Sequence, residues 1–311
     1  MKIVSLLPSA TEIVCALGLE DKLVAVTHEC DYPPVTARLP KITSSRISHE
    51  TMSSREVDHS VRSQIDGHGT IYDLNTELLA KLQPDLIVTQ ELCDVCAVNY
   101  QTIARATRIF SVDARIISLE PNSIEDVFST ILTVGSLTSS EANAEQLVKR
   151  LRERLRQVKS KTDSIIARPK VMMLEWLDPP FAPGHWVPEQ VEAAGGICLL
   201  GEKGQPSRTT SYDRIISEDP DVLVLIPCGY YIEDIFRQIK SVRFPASWRS
   251  MAAVCAGKIW ALDATSYFSR PGPRLIDGVE ILAKLLHPEI FGLPEPSKAV
   301  KIDLNLIQFD E

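Results

Sequence analysis

The chain opens with two short apolar runs separated by a segment with helix-start and helix-stop residues. The runs are residues 3–7 and 23–27, and their β-branched content predicts buried strands. Residues 9–17 are predicted as a helix, because Ser9 and Glu12 have the spacing of a capping box and a glycine follows. A strand, a helix and a strand in this order predict a parallel α/β unit.

One sequence pattern, which we call the recurring phrase, occurs twice in the chain: a helix cap, a short helix, a Pro-Asp turn and a strand. Within residues 75–90, Asn75 caps a short helix, a Pro-Asp pair turns the chain and residues 86–89 form a predicted strand. The same order returns from Ser211, where another Pro-Asp pair precedes a predicted strand over residues 222–226. The recurrence predicts two lobes of related build.

Two helices are predicted between these lobes, over residues 123–137 and 139–163. The second would span roughly 37 Å at 1.5 Å per residue, which makes it a strut. We therefore expect a lobe at residues 1–122, connecting helices at 123–167, a second lobe at 168–290 and a surface tail at 291–311. The second lobe is predicted to begin with a strand at 171–174 and to end with a helix at 273–286.

Composition and charge narrow the classes of partner. With 311 residues and 44% apolar content, the chain is long enough for about two domains. A net charge of −8 argues against nucleic acid as the main partner. The densest basic stretch, residues 149–161, alternates with apolar positions and is interpreted as a solvated helix face.

Cellular location is predicted from the amino terminus and the thiols. Residues 1–8 lack the apolar stretch and cleavage site of a secretory signal, and no run approaches the ~18 apolar residues of a membrane span. Seven cysteines, an odd number, favour a reducing compartment. We expect a cytoplasmic protein without membrane insertion, or a periplasmic or cell-surface one if a signal peptide has been removed.

Four short motifs resemble one family of receptors. They are SLLPSATE at 5–12, HECDYP at 28–33, QELCDVC at 90–96 and LEWLDPP at 174–180. With the paired Pro-Asp phrases, they resemble the substrate-binding proteins of the helical-backbone class, which include vitamin B12, siderophore and haem receptors. More specifically, the motifs at 28–33, 90–96 and 174–180 look like its signal-less branch, which is commonly labelled cobalamin-binding protein. The resemblance covers nearly the whole chain. It implies an α/β fold of two Rossmann-like lobes with parallel sheets, joined by a long rigid backbone helix, with the ligand held between the lobes.

The resemblance also suggests a docking surface. In exported vitamin B12 receptors, one surface glutamate on each lobe docks onto arginines of a membrane permease, and Glu77 and Asp213 resemble those positions. The alternative is that both acids simply lie in the first turn of a helix, where the helix dipole favours negative charge. Both interpretations of these acids are kept, so an ABC permease is one candidate partner.

Candidate ligand-binding residues follow from the rule that parallel α/β lobes bind ligands beyond the carboxyl ends of their strands. They are Ser9, Tyr32, Glu91, Glu175, Trp176, Trp186, Tyr230, Phe268 and Arg270. The flat rings suit a corrin or porphyrin plane, and the guanidinium suits propionate, phosphate or amide groups. The alternatives are ordinary core packing for the rings and structural ion pairing for Arg270.

Candidate metal ligands are His28, Cys30, Cys93 and Cys96, with His185 as an axial ligand. A His-x-Cys pair and a Cys-x-x-Cys pair together suit zinc or another borderline-soft ion. Buried apolar thiols, a redox dithiol and a merely solvated histidine are the alternatives.

The function predicted first is non-catalytic binding of a small metal chelate. No cofactor is expected to be obligatory, and the candidate ligands are cobalamin or another corrinoid, a haem-like chelate and zinc. The alternative is a cytoplasmic metal- or thiol-dependent sensor or enzyme that uses the cluster of His28 and the three cysteines. We do not expect an enzyme, because the chain lacks glycine-rich phosphate loops, a His-Glu-x-x-His motif and a Gly-x-Ser-x-Gly elbow.

Overall fold

The computed structural model describes residues 1–45, 47–48, 51–68, 72–90, 103–104, 107 and 112–310. The chain divides into two compact units. The first comprises Met1–Ser48, His59–Pro121 and Glu125–Arg150, and the second comprises His49–Asp58, Asn122–Ile124 and Leu151–Glu311. Residues 49–58 therefore group with the second unit, although they precede the predicted boundary at residue 122.

The helices and strands have the following bounds. The helices are α1 Pro8–Ala16, α2 Ser54–His68, α3 Thr76–Leu82, α4 Ile124–Leu137, α5 Glu141–Thr162, α6 Val187–Ala193, α7 Tyr212–Glu218, α8 Ile232–Gln238, α9 Ala252–Cys255, α10 Ala264–Tyr267, α11 Leu275–Leu286 and α12 Pro288–Phe291. The strands are β1 Ile3–Ser5, β2 Leu23–Val26, β3 Thr43–Ser45, β4 Tyr72–Leu74, β5 Leu86–Thr89, β6 Arg115–Ser118, β7 Lys170–Leu174, β8 Trp176–Leu177, β9 Pro180–Ala182, β10 Ile197–Cys198, β11 Arg208–Thr209, β12 Val222–Leu225, β13 Arg243–Phe244, β14 Ile259–Leu262, β15 Ala299–Lys301 and β16 Gln308–Phe309.

The first unit contains a four-stranded parallel sheet in the order β2-β1-β5-β6. Val4 of β1 lies between Ala25 of β2 and Ile87 of β5, and all three side chains are fully buried. Strands buried in this way read as continuous apolar runs, because helices or loops cover both faces of a parallel sheet. The α/β unit predicted from the opening segment is therefore confirmed.

The second unit contains a five-stranded sheet in the order β10-β7-β12-β14-β15. The pairs among β10, β7, β12 and β14 are parallel, whereas β15 pairs antiparallel with β14. The segment expected to form a surface tail thus supplies an edge strand of this sheet. Ala299 of β15 lies opposite Leu262 of β14 and is buried. The edge of β14 is therefore paired with another strand, as sheet edges in folded proteins usually need to be covered.

The recurring phrase forms the same local structure in both units. The side chains of Asn75 and Ser211 each accept the backbone N–H three residues ahead and begin α3 and α7. Both helices end at a residue with a positive φ, 44° at Gln83 and 46° at Asp219. The predicted helix, cap and strand order is confirmed in both places.

The Pro-Asp pair in each phrase fixes the start of a neighbouring strand. The Asp85 carboxylate accepts the N–H of Lys2 at 2.6 Å, and the Asp221 carboxylate accepts the N–H of Lys170 at 2.7 Å. In return, the N–H of each aspartate donates to the carbonyl of the same lysine, at 2.9 Å in both cases. The two aspartates therefore bind the chain at the beginning of β1 and β7, and this shared task accounts for the recurrence.

The capping box predicted at Ser9 and Glu12 is wrong. The helix α1 begins at Pro8, its N-cap is Leu7 without a side-chain hydrogen bond, and Ser9 and Glu12 are both buried. Proline suits the first helical position because its fixed φ fits the helix and it has no N–H to leave unpaired. Pro8 therefore moves the helix start ahead of Ser9, which removes Ser9 from the cap position.

The long connecting helix is present as α5, which runs from the first unit into the second. Its 22 residues span about 33 Å. It begins two residues later than predicted because Ser139 has a φ of 55°, which ends the preceding helical segment. In the second unit, Arg154 of α5 donates to both carboxylate oxygens of Glu280 at 2.8 and 2.7 Å and also contacts Asp277. The predicted helix at 273–286 begins two residues later, at Leu275.

Candidate functional site

Three segments follow the carboxyl ends of neighbouring strands in the second unit, and they are bonded to one another. Glu175 follows β7, Tyr230 lies in the loop after β12, and Thr265 lies in α10, the helix that follows β14. The N–H of Cys228 donates to the carbonyl of Glu175 at 3.0 Å, and the N–H of Thr265 donates to the carbonyl of Tyr230 at 3.2 Å. The structure therefore brings together loops that the strand-end rule selected.

The predicted aromatic residues of the second unit form two pairs. Trp176 and Tyr230 meet edge to face, with ring centroids 5.2 Å apart. The indole N–H of Trp186 donates to the carbonyl of Phe268 at 2.7 Å. Trp186, Tyr230 and Phe268 are 5%, 1% and 2% exposed, whereas Trp176 is half-buried. Trp176 is thus the ring of this set with the most surface open to a ligand, and ligand contact by the other three stays a prediction.

Glu175 is held by two donors at the end of β7. The N–H of Gly184 donates to its Oε1 at 3.1 Å, and the hydroxyl of Ser207 donates to its Oε2. Burial raises the pKa of this carboxyl to about 7, and the bonds from Ser207 and Gly184 oppose that rise. The side chain therefore changes charge near neutral pH while it connects the loops at 184 and 207.

His185 lies in a fixed turn with one ring nitrogen unused. Its φ is 49°, its N–H donates to the carbonyl of Gln205 at 2.6 Å, and its carbonyl accepts from Gly204 at 3.0 Å. The Nε2 atom is buried without a hydrogen-bond partner among the described residues, and the ring lies 5.4 Å from that of Trp186. Burial lowers the pKa of this imidazole, which favours its neutral form. A neutral imidazole is the form that binds metals, and axial ligation stays a prediction.

Arg270 is also in the second unit and is 8% exposed. The carboxylate of Asp263, a candidate ion-pair partner, accepts the N–H of Ser266 at 2.8 Å and caps α10. Burial raises the pKa of Asp263, while Ser266, Arg274 and Arg270 oppose the rise. Arg270 therefore lies close enough to Asp263 to interact with its charge, in agreement with the alternative that Arg270 forms a structural ion pair. Binding of an anionic ligand group by Arg270 stays a prediction.

Residues 52–55 contact the same loops and were missed at the sequence level. The carbonyl of Ser54 accepts the indole N–H of Trp176 at 3.1 Å. The guanidinium of Arg55 donates two bonds to the carboxylate of Asp178, at 3.1 and 3.2 Å. A sequence signal was present, because Ser53 and Glu56 form the reciprocal bonds of a capping box at the start of α2.

The candidates of the first unit lie at the ends of β1 and β2. The N–H and Nδ1 of His28 both lie within hydrogen-bond distance of the Thr43 hydroxyl, at 3.1 and 2.8 Å. Burial lowers the pKa of His28. Cys30 is buried, with its Sγ 3.0 Å from the Thr11 hydroxyl. Ser9 is buried in α1, and Tyr32 is 45% exposed.

The four-ligand metal site remains untested. Glu91, Cys93 and Cys96 lie outside the described residues. Within the described ranges, no three His, Cys, Asp or Glu side chains come together as a metal site. His28 and Cys30 thus stay candidates for a site whose other two predicted ligands are not described.

Glu77 and Asp213 occupy matching positions in the two units. Both are exposed, and each is the second helical residue after the cap, in α3 and α7 respectively. The match follows from the shared phrase, and a role in docking stays a prediction.

The family is established by comparison with known proteins. Residues 3–265 match the model of the periplasmic binding protein family. The chain belongs to this family. A vitamin B12-binding protein of Vibrio cholerae is 23% identical over 286 residues, covering 90% of this chain and 86% of that protein. An uncharacterized ABC transporter substrate-binding lipoprotein of Bacillus subtilis is 26% identical over 301 residues, covering 93% and 81% respectively.

The structure is similar to that of a periplasmic heme binding protein from Pseudomonas aeruginosa, with a TM-score of 0.70. The match covers 99% of this chain and 96% of that one at 19% identity, which supports the fold alone. The predicted resemblance and fold class are therefore confirmed, and the chain is a periplasmic binding protein by family.

The expected cytoplasmic location finds no support in these comparisons. The relatives are a lipoprotein and proteins named for vitamin B12 or for a periplasmic location, so they agree with the alternative of a periplasmic or cell-surface protein. Among the helices of the described residues, none has the length and apolar content needed to cross a membrane.

Proposed function

We propose that this periplasmic binding protein captures a corrinoid or another tetrapyrrole-like metal chelate without catalysing its conversion. The single observation that carries the proposal is the half-buried indole of Trp176, which lies edge to face with Tyr230 beyond the carboxyl ends of the parallel strands β7 and β12. Flat apolar rings suit the plane of such a ligand. The relatives named for vitamin B12 and heme support the same ligand class.

The polar groups of Glu175 and His185 add a means of orienting the ligand. Glu175 is fixed by Ser207 and Gly184, and the Nε2 of His185 has no hydrogen-bond partner among the described residues. Pre-organised groups of this kind bind more tightly, because less conformational freedom is lost on binding. Glu77 and Asp213 are proposed as the exposed acids through which a membrane permease would dock.

The proposal is tested by titrating the full chain with cobalamin, cobinamide and haem, by calorimetry and by quenching of tryptophan fluorescence. We expect micromolar or tighter binding of at least one chelate, and a roughly 5- to 50-fold loss of affinity in Trp176→Leu. Trp260→Leu is the matched control, because Trp260 of β14 is also half-buried in the same unit but is not one of the candidate ligand-binding residues.

Two results would refute the proposal. One is that none of the three chelates binds to the protein. The other is an equal loss of affinity in Trp176→Leu and Trp260→Leu, which would show that the loss reports general damage to the second unit.

A further inference from the structure

Gln238 binds the backbone of residues 52–54 with both ends of its side-chain amide. Its Oε1 accepts the N–H of Ser54 at 3.0 Å, and its Nε2 donates to the carbonyl of Met52 at 2.7 Å. Gln238 is 4% exposed and Ser54 is 1% exposed. A buried amide that bonds two backbone groups of one segment fixes that segment's position, because leaving either group unpaired is costly.

The segment held in this way contacts Trp176 directly. The carbonyl of Ser54 accepts the indole N–H of Trp176, and this bond limits rotation of the ring. The ring is also packed edge to face against Tyr230. Because Trp176 stays half-buried with residues 52–54 in place, the segment orients the indole without enclosing it.

Two further contacts stiffen the segment. The hydroxyl and N–H of Ser53 both donate to the Glu56 carboxylate at 2.8 Å. The guanidinium of Arg55 pairs with Asp178, two residues beyond Trp176. The segment is therefore fixed at the start of α2 and, through the neighbouring Arg55, at the turn that follows β8, the strand that carries the indole.

We infer that Gln238 is a positioning residue, which acts through residues 52–54 to hold the Trp176 indole in the orientation that binds the chelate. This inference rests on the proposed function, since it deepens the role given to Trp176. It assigns the orientation of the indole to a segment from the first sixty residues and to a glutamine of α8, both of which act through Trp176.

The test replaces Gln238 by methionine, which keeps the length of the side chain and removes both hydrogen bonds. The full chain is labelled with 5-fluorotryptophan, and the Trp176 resonance is assigned from its absence in Trp176→Phe. We expect Gln238→Met to shift or broaden that resonance and to weaken binding of the best of the three chelates by roughly 5- to 30-fold.

A matched control is Gln190→Met in the same unit. Gln190 is fully buried, and its Nε2 also bonds two carbonyls, those of Tyr267 and Leu275, at 3.0 and 2.9 Å. We expect it to lower stability without moving the Trp176 resonance. Ser54→Pro serves as a second variant if Gln238→Met does not fold. It removes the N–H that Gln238 accepts at the first position of α2, which tolerates proline.

An unchanged Trp176 resonance in Gln238→Met and Ser54→Pro overturns the inference, and so does a moved resonance with unchanged chelate affinity. It is also overturned if Gln190→Met changes the Trp176 resonance and the chelate affinity as much as Gln238→Met does. That result would show that Gln238 only stabilises the fold of the second unit. If the wild-type chain binds no chelate, the proposed function fails and the ligand part of this inference fails with it. In that case the resonance still shows whether Gln238 orients the indole, so the two failures are distinguishable.

Discussion

Replacing Glu175 by glutamine should make the second unit more stable at neutral and alkaline pH. The carboxyl is buried, and its pKa rises from an ordinary value of 4.5 to about 7. Glutamine keeps an oxygen for the N–H of Gly184 and an amide that can donate to the Ser207 hydroxyl, so the substitution removes the charge and preserves both bonds. The buried negative charge is therefore the quantity that the variant isolates.

The sign and the size follow from proton linkage. A carboxyl with a raised pKa in the folded protein contributes its full stability below about pH 4.5, where it is protonated in both states. This contribution is lost between about pH 4.5 and about pH 7, because the unfolded chain releases the proton first. A rise from 4.5 to about 7 corresponds to about 3 kcal/mol in the free energy of unfolding, as an upper figure.

The assay is urea unfolding of the wild type and Glu175→Gln between about pH 4.5 and about pH 8. The difference between the two free energies should grow by up to about 3 kcal/mol across this range and then stay constant. Glu202→Gln is the control, since Glu202 is an exposed carboxylate that pairs with Arg208. A Glu175→Gln curve parallel to that of the wild type would refute the reasoning, because it would mean that the charge costs nothing when buried.

Three further predictions concern the fold. Asn75→Ala and Ser211→Ala should each lower the free energy of unfolding by about 1 kcal/mol in urea titrations, because each removes a helix cap; clearly unequal losses would contradict the common role. Gly184→Ala should lower the melting temperature in calorimetry and weaken chelate binding, since its Cβ would lie 2.5 Å from a backbone carbonyl oxygen of the facing turn. Arg154→Met should cost about 1–2 kcal/mol, less at high salt, because it leaves two carboxylates of α11 without their guanidinium; a loss independent of salt would count against this.

The two-unit α/β fold could be predicted because its signals are local. In the recurring phrase, the cap, the turn and the strand-fixing aspartate lie within eleven residues, from Asn75 to Asp85 and from Ser211 to Asp221. The caps at Asn75 and Ser211 accept backbone N–H groups three residues away, whereas Asp85 and Asp221 bind lysines that lie 83 and 51 residues away in the sequence. The residues of the pattern are themselves close together, so its two occurrences could be recognised from the sequence alone.

The two capping-box patterns show where local signals fail. Ser9 and Glu12 have the same spacing as Ser53 and Glu56, yet only the second pair forms the reciprocal bonds. The difference is Pro8, which begins α1 one residue before the predicted helix and leaves both polar side chains in the interior. Pro8, which lies outside the Ser-x-x-Glu motif, therefore decided that this motif does not form a capping box.

The candidate site was predicted only in part, because burial and long-range bonds decide it. The strand-end rule selected Glu175, Trp176 and Tyr230 correctly as neighbours, since parallel strands end at one edge of a sheet. It gave no account of which rings would be buried, because that depends on all the elements that cover the edge. Nor could it find the bond between Ser54 and Gln238, whose positions are 184 residues apart. A sequence pattern of a few residues cannot contain both partners of a bond at this separation.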